Sequence, residues 1–299
     1  MNAIHPGREL RFVALGDSVT VGVGDPTERG WRGWAALLAE SLATSYSLHF
    51  ANVASEGATA SQVLRDQLPP AIHFQPHLAS MVVGINDTLR STFDPARIRG
   101  ELFTIAGELT GATLLMLRFH DHGRVFGLPG FLRHRLSSRI EAVNAVYDEI
   151  HSVFGGLYVD LAARPQVYAR TAWSVDRLHP SERGHRELAR ACAQTLEQAG
   201  LSIANPPGLD SCGGTTPSRW ADLVWMATKA TPWIGRRAWD LGPQAARSAV
   251  AATVSGVRRV PVGVGAPPEA RVASADAGCP LDRRGLPSGV VGTPIGSKS

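Results

Sequence analysis

The chain has 299 residues, of which 44% are hydrophobic and 19% are charged. This composition is typical of a globular protein, and the length suffices for one α/β domain of about 200 residues with an appendage. No run of about 18 apolar residues occurs, so the sequence predicts no membrane-spanning helix. The net charge of +4 resides in residues 205–299, and the nearly neutral remainder does not favour nucleic acid as a partner.

The N-terminal residues lack the basic segment and the apolar run of a signal peptide, so we expect a cytoplasmic protein. The three cysteines, Cys192, Cys212 and Cys279, are scattered along the chain and odd in number. They favour unpaired thiols in a reducing compartment over a disulfide framework or a zinc site.

Short apolar runs alternate with stretches of helical period along the first two thirds of the chain. The predicted strands cover residues 11–15, 48–53, 78–83, 113–117 and 157–161, and the predicted helices cover residues 31–43, 60–67, 95–109, 136–153 and 182–199. Strands that alternate with helices of this length predict right-handed βαβ units on a parallel sheet. The expected fold class is therefore α/β, in a domain over residues 10–204.

The pattern changes after residue 204. Asn205-Pro206-Pro207-Gly208 is typical of a linker, and residues 216–241 contain two short amphipathic helical patterns with aromatic and basic residues. We interpret residues 205–242 as a linker and a helical appendage that packs its apolar side on the domain. The alternative is peripheral contact of residues 216–241 with an anionic membrane surface. Residues 243–299 show no period and are predicted to be a disordered tail.

A candidate nucleophile follows the first predicted strand. Gly16-Asp17-Ser18 comes directly after it, and ligand sites in open α/β sheets lie beyond the carboxyl ends of the strands. Asp17 is expected to brace this loop, because neighbours in sequence rarely face each other. On its own Ser18 is more typical of a helix N-cap, so its function depends on the groups that lie opposite it.

Asp176-Arg177-Leu178-His179 lies near the end of the predicted domain. A serine hydroxyl needs a base within hydrogen-bonding reach, and a histidine base needs a partner that fixes its tautomer. An aspartate three residues before a histidine can meet it within one turn, so one loop can supply both groups. On its own this segment is equally consistent with a surface loop that leads into the last helix.

Two further segments follow predicted strands and therefore lie at the same edge of the sheet as Ser18. The first contains Gly57, and the second is Gly84-Ile85-Asn86-Asp87. A glycine N–H and the side-chain amide of Asn86 can donate hydrogen bonds to an oxyanion. The same residue types also populate ordinary turns.

Together the four segments resemble the GDSL/SGNH hydrolase family of serine esterases and lipases. The family's blocks are a Ser in Gly-Asp-Ser, a Gly, an Asn in Gly-x-Asn-Asp and a His in Asp-x-x-His. In this chain they match Ser18, Gly57, Asn86 and His179 in family order, and the similarity covers about residues 10–200. The arginine-rich composition, with few lysines, is most similar to cytoplasmic-looking actinobacterial members.

The resemblance implies a flavodoxin-like three-layer sandwich around a central parallel sheet. It also implies ester hydrolysis through an acyl-enzyme, with Ser18 as nucleophile, His179 as base and Asp176 orienting the base. The N–H groups of Ser18 and Gly57 and the side chain of Asn86 would form the oxyanion hole. No metal or organic cofactor is implied, and a small-molecule or lipid ester is the expected substrate. Acyl transfer at the same site stays open as an alternative, as does a non-catalytic binding module.

Several other residues could be structural or functional. His185 is expected to pack inside the domain, and Trp31 and Trp34 are expected to share the core face of one helix. We interpret His120-Asp121-His122 as lining a substrate cleft, together with Arg118. A metal site is disfavoured for this triplet, because adjacent side chains point in different directions.

Overall fold

The computed structural model describes residues 8–214 and, beyond them, residues 220, 223, 224, 227, 228 and 231. The predicted tail over residues 243–299 lies outside the described residues, as does most of the predicted appendage over residues 216–241. In the described part of that appendage, Trp220, Leu223 and Val224 have exposed side chains. No helix in the described part of the chain is long and apolar enough to cross a membrane.

A five-stranded parallel sheet forms the centre of the domain. Its strands are β1 (Glu9–Gly16), β4 (Ser47–Asn52), β5 (Leu78–Val82), β6 (Thr113–Arg118) and β7 (Leu157–Asp160). They lie in the order β4-β1-β5-β6-β7, and every neighbouring pair is parallel. A small antiparallel pair, β2 (Pro26–Thr27) and β3 (Gly30–Trp31), lies between β1 and β4 in the chain. The predicted α/β class with a parallel sheet is thus confirmed.

Helices cover both faces of this sheet. They are α1 (Ser18–Val21), α2 (Gly33–Leu42), α3 (Ala60–Gln62), α4 (Leu68–His73), α5 (Ile85–Thr88), α6 (Pro95–Glu108), α7 (His122–Phe126), α8 (Gly130–Phe154) and α9 (Glu182–Gln198). A π-helical stretch, Val63–Gln67, joins α3 to α4, and two 3-10 turns, Pro165–Tyr168 and Arg170–Ala172, precede α9. On one face α2 packs against α9, and on the other α6 packs against α8. These layers form the three-layer sandwich that the resemblance implies.

The sheet has a topological switch point between β1 and β5. From β1 the chain passes to β4 on one side, whereas β5, β6 and β7 extend the sheet on the other side. The loops that follow β1 and β5 therefore separate and leave a crevice beyond the carboxyl ends of these strands. Ser18 follows β1 and Asn86 follows β5, so the topology brings both residues to this crevice.

The sequence pattern predicts the long elements better than the short ones. All the predicted strands and long helices are present, but α8 begins at Gly130, before the predicted start at residue 136. The helices α1, α4, α5 and α7 are missed, because a helix of one or two turns contains no detectable period. The expected core face of Trp31 and Trp34 is wrong: Trp31 lies in β3 and is 45% exposed, whereas Trp34 is fully buried in α2.

The two cysteines in the described part of the chain, Cys192 and Cys212, differ in their bonding. Cys192 is buried and free, as expected, and burial raises the pKa of its thiol to about 12. Cys212 is disulfide-bonded, so the expectation of unpaired thiols is wrong for this residue. Its backbone is also fixed, since its N–H donates to Glu182 and its carbonyl accepts from Arg32 and Arg186. The segment that follows the domain is thereby held against the start of α9.

The turn after α1 lies directly against the loop that precedes α9. Gly24 has a φ of +102°, and an added Cβ would lie 2.0 Å from the carbonyl oxygen of Pro180. Nearby, His185 Nδ1 accepts from the N–H of Trp34 at 3.2 Å, and its Nε2 donates to the carbonyl of Val23 at 3.0 Å. Burial lowers the pKa of His185 to about 4, so the ring stays neutral in this bridge. The expected packing role of His185 is confirmed.

We expect Gly24→Ala to lower the free energy of unfolding by about 1–3 kcal/mol, because the backbone is strained for any other residue and the Cβ meets Pro180. Thermal unfolding of the two proteins measures the difference. Gly100→Ala is the matched control: Gly100 lies on the exposed side of α6 with nothing within 4 Å of its added Cβ, so this change should stabilise by about 0.5–1 kcal/mol. Equal melting temperatures for Gly24→Ala and the unmodified chain would contradict the close approach.

Candidate active site

Ser18 is the first residue of α1 and lies at the carboxyl end of β1. Asp17 caps this helix, since its side chain accepts from the N–H of Val19 at 3.0 Å. Ser18 is 8% exposed, and in the described part of the chain its own N–H donates no hydrogen bond. The local fold thus presents the hydroxyl and a free N–H of one residue in the crevice. The expected bracing role of Asp17 is confirmed.

A tight loop before α9 presents Asp176 and His179. Its two ends are joined by a bridge between Trp173 and Pro180, and the N–H of Ser174 donates to the carbonyl of His179 at 2.9 Å. Within the loop, Asp176 Oδ1 accepts from the N–H groups of residues 178 and 179 at 2.9 and 3.1 Å. One carboxylate oxygen therefore organises the turn, and the other is left to face the histidine.

Ser18, His179 and Asp176 form a continuous chain of hydrogen bonds. His179 Nε2 lies 3.0 Å from Ser18 Oγ, and His179 Nδ1 lies 2.6 Å from Asp176 Oδ2. Because a carboxylate only accepts, the proton of the neutral ring is on Nδ1, and Nε2 is free to accept from the serine hydroxyl. The structure thus brings together three residues that the sequence predicts to act together, in an order suited to activating a serine nucleophile.

The electrostatic environment keeps Asp176 ionised. Burial by itself would raise the pKa of Asp176, but hydrogen bonds from His179 and Ser174 and the charge of a protonated His179 outweigh it, and the net pKa is lowered. Asp176 is only 4% exposed, so its interaction with the ring is little screened by water. An ionised carboxylate at this position fixes the tautomer and stabilises the imidazolium ion.

Asn86 and Gly57 lie in the segments that follow β5 and β4. Asn86 Nδ2 donates to the carbonyl of Ala58 at 3.1 Å and more weakly to Asp17 Oδ2 at 3.3 Å. These bonds connect Asn86 to the residue before Ser18 and to the segment that carries Gly57. Among the described residues no acceptor receives the N–H of Gly57, whose φ is +71°. The site therefore contains two free backbone N–H groups beside a side-chain amide.

Two buried aspartates beside the site have raised pKa values. Burial raises the pKa of Asp17 and that of Asp87 to about 6, although each accepts a backbone N–H. Asp87 Oδ2 accepts from the N–H of Ala60 at 3.0 Å, and its Oδ1 has no hydrogen bond among the described residues but lies 4.0 Å from the guanidinium of Arg97. The sequence pattern assigns no separate role to Asp87; the structure shows that it holds the start of α3 beside the crevice.

The two histidines of the triplet at residues 120–122 support the loop that presents Asp176 and His179. His122 Nε2 lies 3.2 Å from the carbonyl oxygen of Arg177, and its Nδ1 lies 3.0 Å from His120 Nε2. Burial lowers the pKa of His122 to about 4 and that of His120 well below its usual value, so both rings are neutral. Since a carbonyl only accepts, His122 donates to Arg177, a residue with a φ of +55°, and His120 donates to His122.

The expected participation of Arg118 in a substrate cleft is wrong. Its guanidinium pairs with Asp148 at 2.8 Å and with Glu141 at 3.1 Å, both on α8. As the last residue of a strand, its side chain points to the face of the sheet rather than beyond its edge. In the described part of the chain, no group of three His, Cys, Asp or Glu residues is arranged to hold a metal ion.

Comparison with known proteins gives one family and many similar folds. The family model of the GDSL-like lipase/acylhydrolase family matches residues 14–187, which include all four predicted blocks. No curated protein matches the sequence significantly.

Among solved structures, TesA is 24% identical with a TM-score of 0.50, over 63% of this chain and 98% of TesA. Axe2, an acetylxylan esterase from Geobacillus stearothermophilus, is 20% identical with a TM-score of 0.52, over 67% and 98% of the two chains. The esterase EstA from a Pseudoalteromonas species is 15% identical with a TM-score of 0.50, over 63% and 97%. These similarities concern the fold.

We expect His122→Phe to loosen the loop at residues 174–180 without unfolding the domain. Phenylalanine retains the ring contacts with Phe126 and Trp173 but leaves the carbonyl of Arg177 without its donor. Amide hydrogen exchange in this loop should accelerate about tenfold, while exchange in α9 stays unchanged. The control is His151→Phe, since His151 is exposed on α8 and stacks on Tyr158. Unaltered loop exchange in His122→Phe would show that this bond does not hold the loop.

Proposed function

Because the chain belongs to the GDSL-like lipase/acylhydrolase family, we propose that it hydrolyses a carboxylic ester through an acyl-enzyme on Ser18. The observation that carries this proposal is the hydrogen-bond chain of the active site. Ser18 Oγ lies 3.0 Å from His179 Nε2, and His179 Nδ1 lies 2.6 Å from Asp176. The substrate is a small-molecule or lipid ester.

In the first half of the reaction Ser18 Oγ attacks the ester carbonyl, and His179 Nε2 takes the hydroxyl proton. The tetrahedral intermediate then collapses as His179 returns this proton to the departing alkoxide, which leaves as the alcohol. In the second half His179 accepts a proton from water, the resulting hydroxide attacks the acyl carbonyl, and the proton passes to Ser18 Oγ. Asp176 remains ionised throughout and stabilises the imidazolium ion.

The negative oxygen of the tetrahedral intermediate binds to the N–H groups of Ser18 and Gly57 and to Asn86 Nδ2. Both N–H groups lack other acceptors among the described residues, so they can bind the oxyanion without breaking an existing bond. For Asn86, the 3.3 Å contact with Asp17 is the weaker of its two hydrogen bonds. This is the one that the oxyanion replaces, while the bond to Ala58 keeps the amide oriented.

Ser18→Ala should abolish turnover of a chromogenic ester and labelling by a fluorophosphonate probe, with the fold unchanged by circular dichroism. The expected loss in kcat is up to about 10⁶, as for removal of the nucleophile of other serine hydrolases. Ser152→Ala is the control, because Ser152 is exposed on α8 and should retain both activities. Turnover by purified Ser18→Ala near the level of the unmodified enzyme would refute the proposal.

Asn86→Ala should lower kcat by about 10²–10³ with little change in KM, because the donor meets a charge that exists only in the transition state. Steady-state kinetics on the same ester measures both parameters. The comparison variant is Asn205→Ala, since Asn205 is an exposed residue outside the site. An Asn86→Ala enzyme with an unchanged kcat would remove this residue from the oxyanion hole.

A further inference from the structure

A second cavity lies behind the loop that carries Asp176 and His179. It has a volume of about 380 Å³ and is lined by the segment that follows β7, by the 3-10 turns and by α9. Small-molecule sites usually have volumes of about 300–1,000 Å³. Among the described residues that line this cavity, Ser18, Asn86 and His179 are not present. The cavity is therefore separate from the crevice in which the ester reacts.

One wall of the cavity is apolar and fixed in shape. Leu161, Trp173 and Leu188 contribute to it, and each is at most 9% exposed. The indole Nε1 of Trp173 donates to the carbonyl of Val167 at 2.6 Å, so the ring cannot rotate without breaking this bond. Such a wall suits the hydrocarbon part of a ligand.

The lining also contains two arginines that have no acidic partner in the described part of the chain. Arg190 has no hydrogen bond or ion pair among the described residues, and its Nε is buried. Within residues 8–214 the guanidinium of Arg164 makes one long contact, of 3.5 Å with Gln194. Glu187 also lines the cavity, but its carboxylate is already paired with Arg183 at 2.8 Å. The buried Nε–H of Arg190 without an acceptor is unfavourable, and a ligand with a negative group would relieve this cost.

We propose that this cavity, which we call the Arg190 cavity, binds an organic carboxylate. The carboxylate accepts hydrogen bonds from the guanidinium groups of Arg190 and Arg164, because the planar guanidinium matches the geometry of a carboxylate. The hydrocarbon part lies against Trp173 and Leu161. The apolar wall favours an organic acid over an inorganic anion, which would leave that surface uncovered.

The occupant would contact the support of the catalytic loop. Trp173 lines the cavity and pairs with Pro180 across the base of this loop. His120 also lines it and is connected through His122 to the carbonyl of Arg177. A bound carboxylate should therefore slow the opening of the loop, which amide hydrogen exchange at residues 174–179 detects.

Calorimetric titration of the full chain with sodium octanoate tests the proposal. Saturable binding is expected, and 1-octanol should bind at least tenfold more weakly because it lacks the charge. Arg190→Gln should weaken octanoate binding at least tenfold, whereas Arg135→Gln, at an exposed position on α8, should leave it unchanged. Failure to saturate, equal affinity for octanol, or equal affinity of Arg190→Gln would overturn the proposal.

Two further measurements distinguish the Arg190 cavity from the ester crevice and a loss of binding from a loss of folding. Octanoate should bind equally well after Ser18 has been blocked by a fluorophosphonate, and loss of binding would locate the ligand in the ester crevice instead and overturn the proposal. If Arg190→Gln does not fold, Arg164→Gln replaces it, with the same expected loss of affinity. Because binding is measured without turnover, the test of the Arg190 cavity does not depend on the proposed hydrolysis.

Discussion

The hydrogen bond between Ser18 and His179 joins two segments that are 161 residues apart in the chain. Hydrogen bonds weaken steeply with misalignment, so this bond requires the turn after β1 and the loop before α9 to meet within a few tenths of an ångström. Gly24 permits this approach because it has no Cβ, and the neutral ring of His185 fastens the same turn to α9. The site geometry therefore depends on the packing of α9 against α2 as much as on the local turns.

Three buried aspartates near the site differ in how their charge is compensated. Asp176 receives four hydrogen-bond donors from its own loop and from His179, and its pKa is lowered. Asp17 and Asp87 receive fewer donors, and their pKa values are raised. In the proposed mechanism this difference is useful, because Asp176 stays charged beside the imidazolium ion. Asp17, whose ionisation is costly, would compete with the oxyanion for the amide of Asn86.

The sequence predicts the parts of the molecule that follow from periodicity and from short motifs. Alternating apolar runs and helical stretches predict the parallel sheet, and loops after parallel strands must meet at one edge, which brings Ser18 and Asn86 together. Contacts that depend on side-chain direction across the fold do not follow from such patterns. Arg118 ends a strand and turns to α8, and Trp31 lies in β3 rather than in a helix. The bridge made by His185 depends on where α9 packs, which no local pattern contains.

The histidines at residues 120 and 122 form a hydrogen-bond chain behind the loop that carries Asp176 and His179. The carbonyl of Arg177 can only accept, so it fixes the proton of His122 on Nε2, and this in turn fixes the proton of His120 on Nε2. The Nδ1 of His120 is left as a buried acceptor without a partner among the described residues. A proton added there would charge a desolvated ring, so the chain stays in one tautomeric state. The loop is thus held by neutral, oriented groups at its back, while the charge of Asp176 faces the Nδ1 of His179.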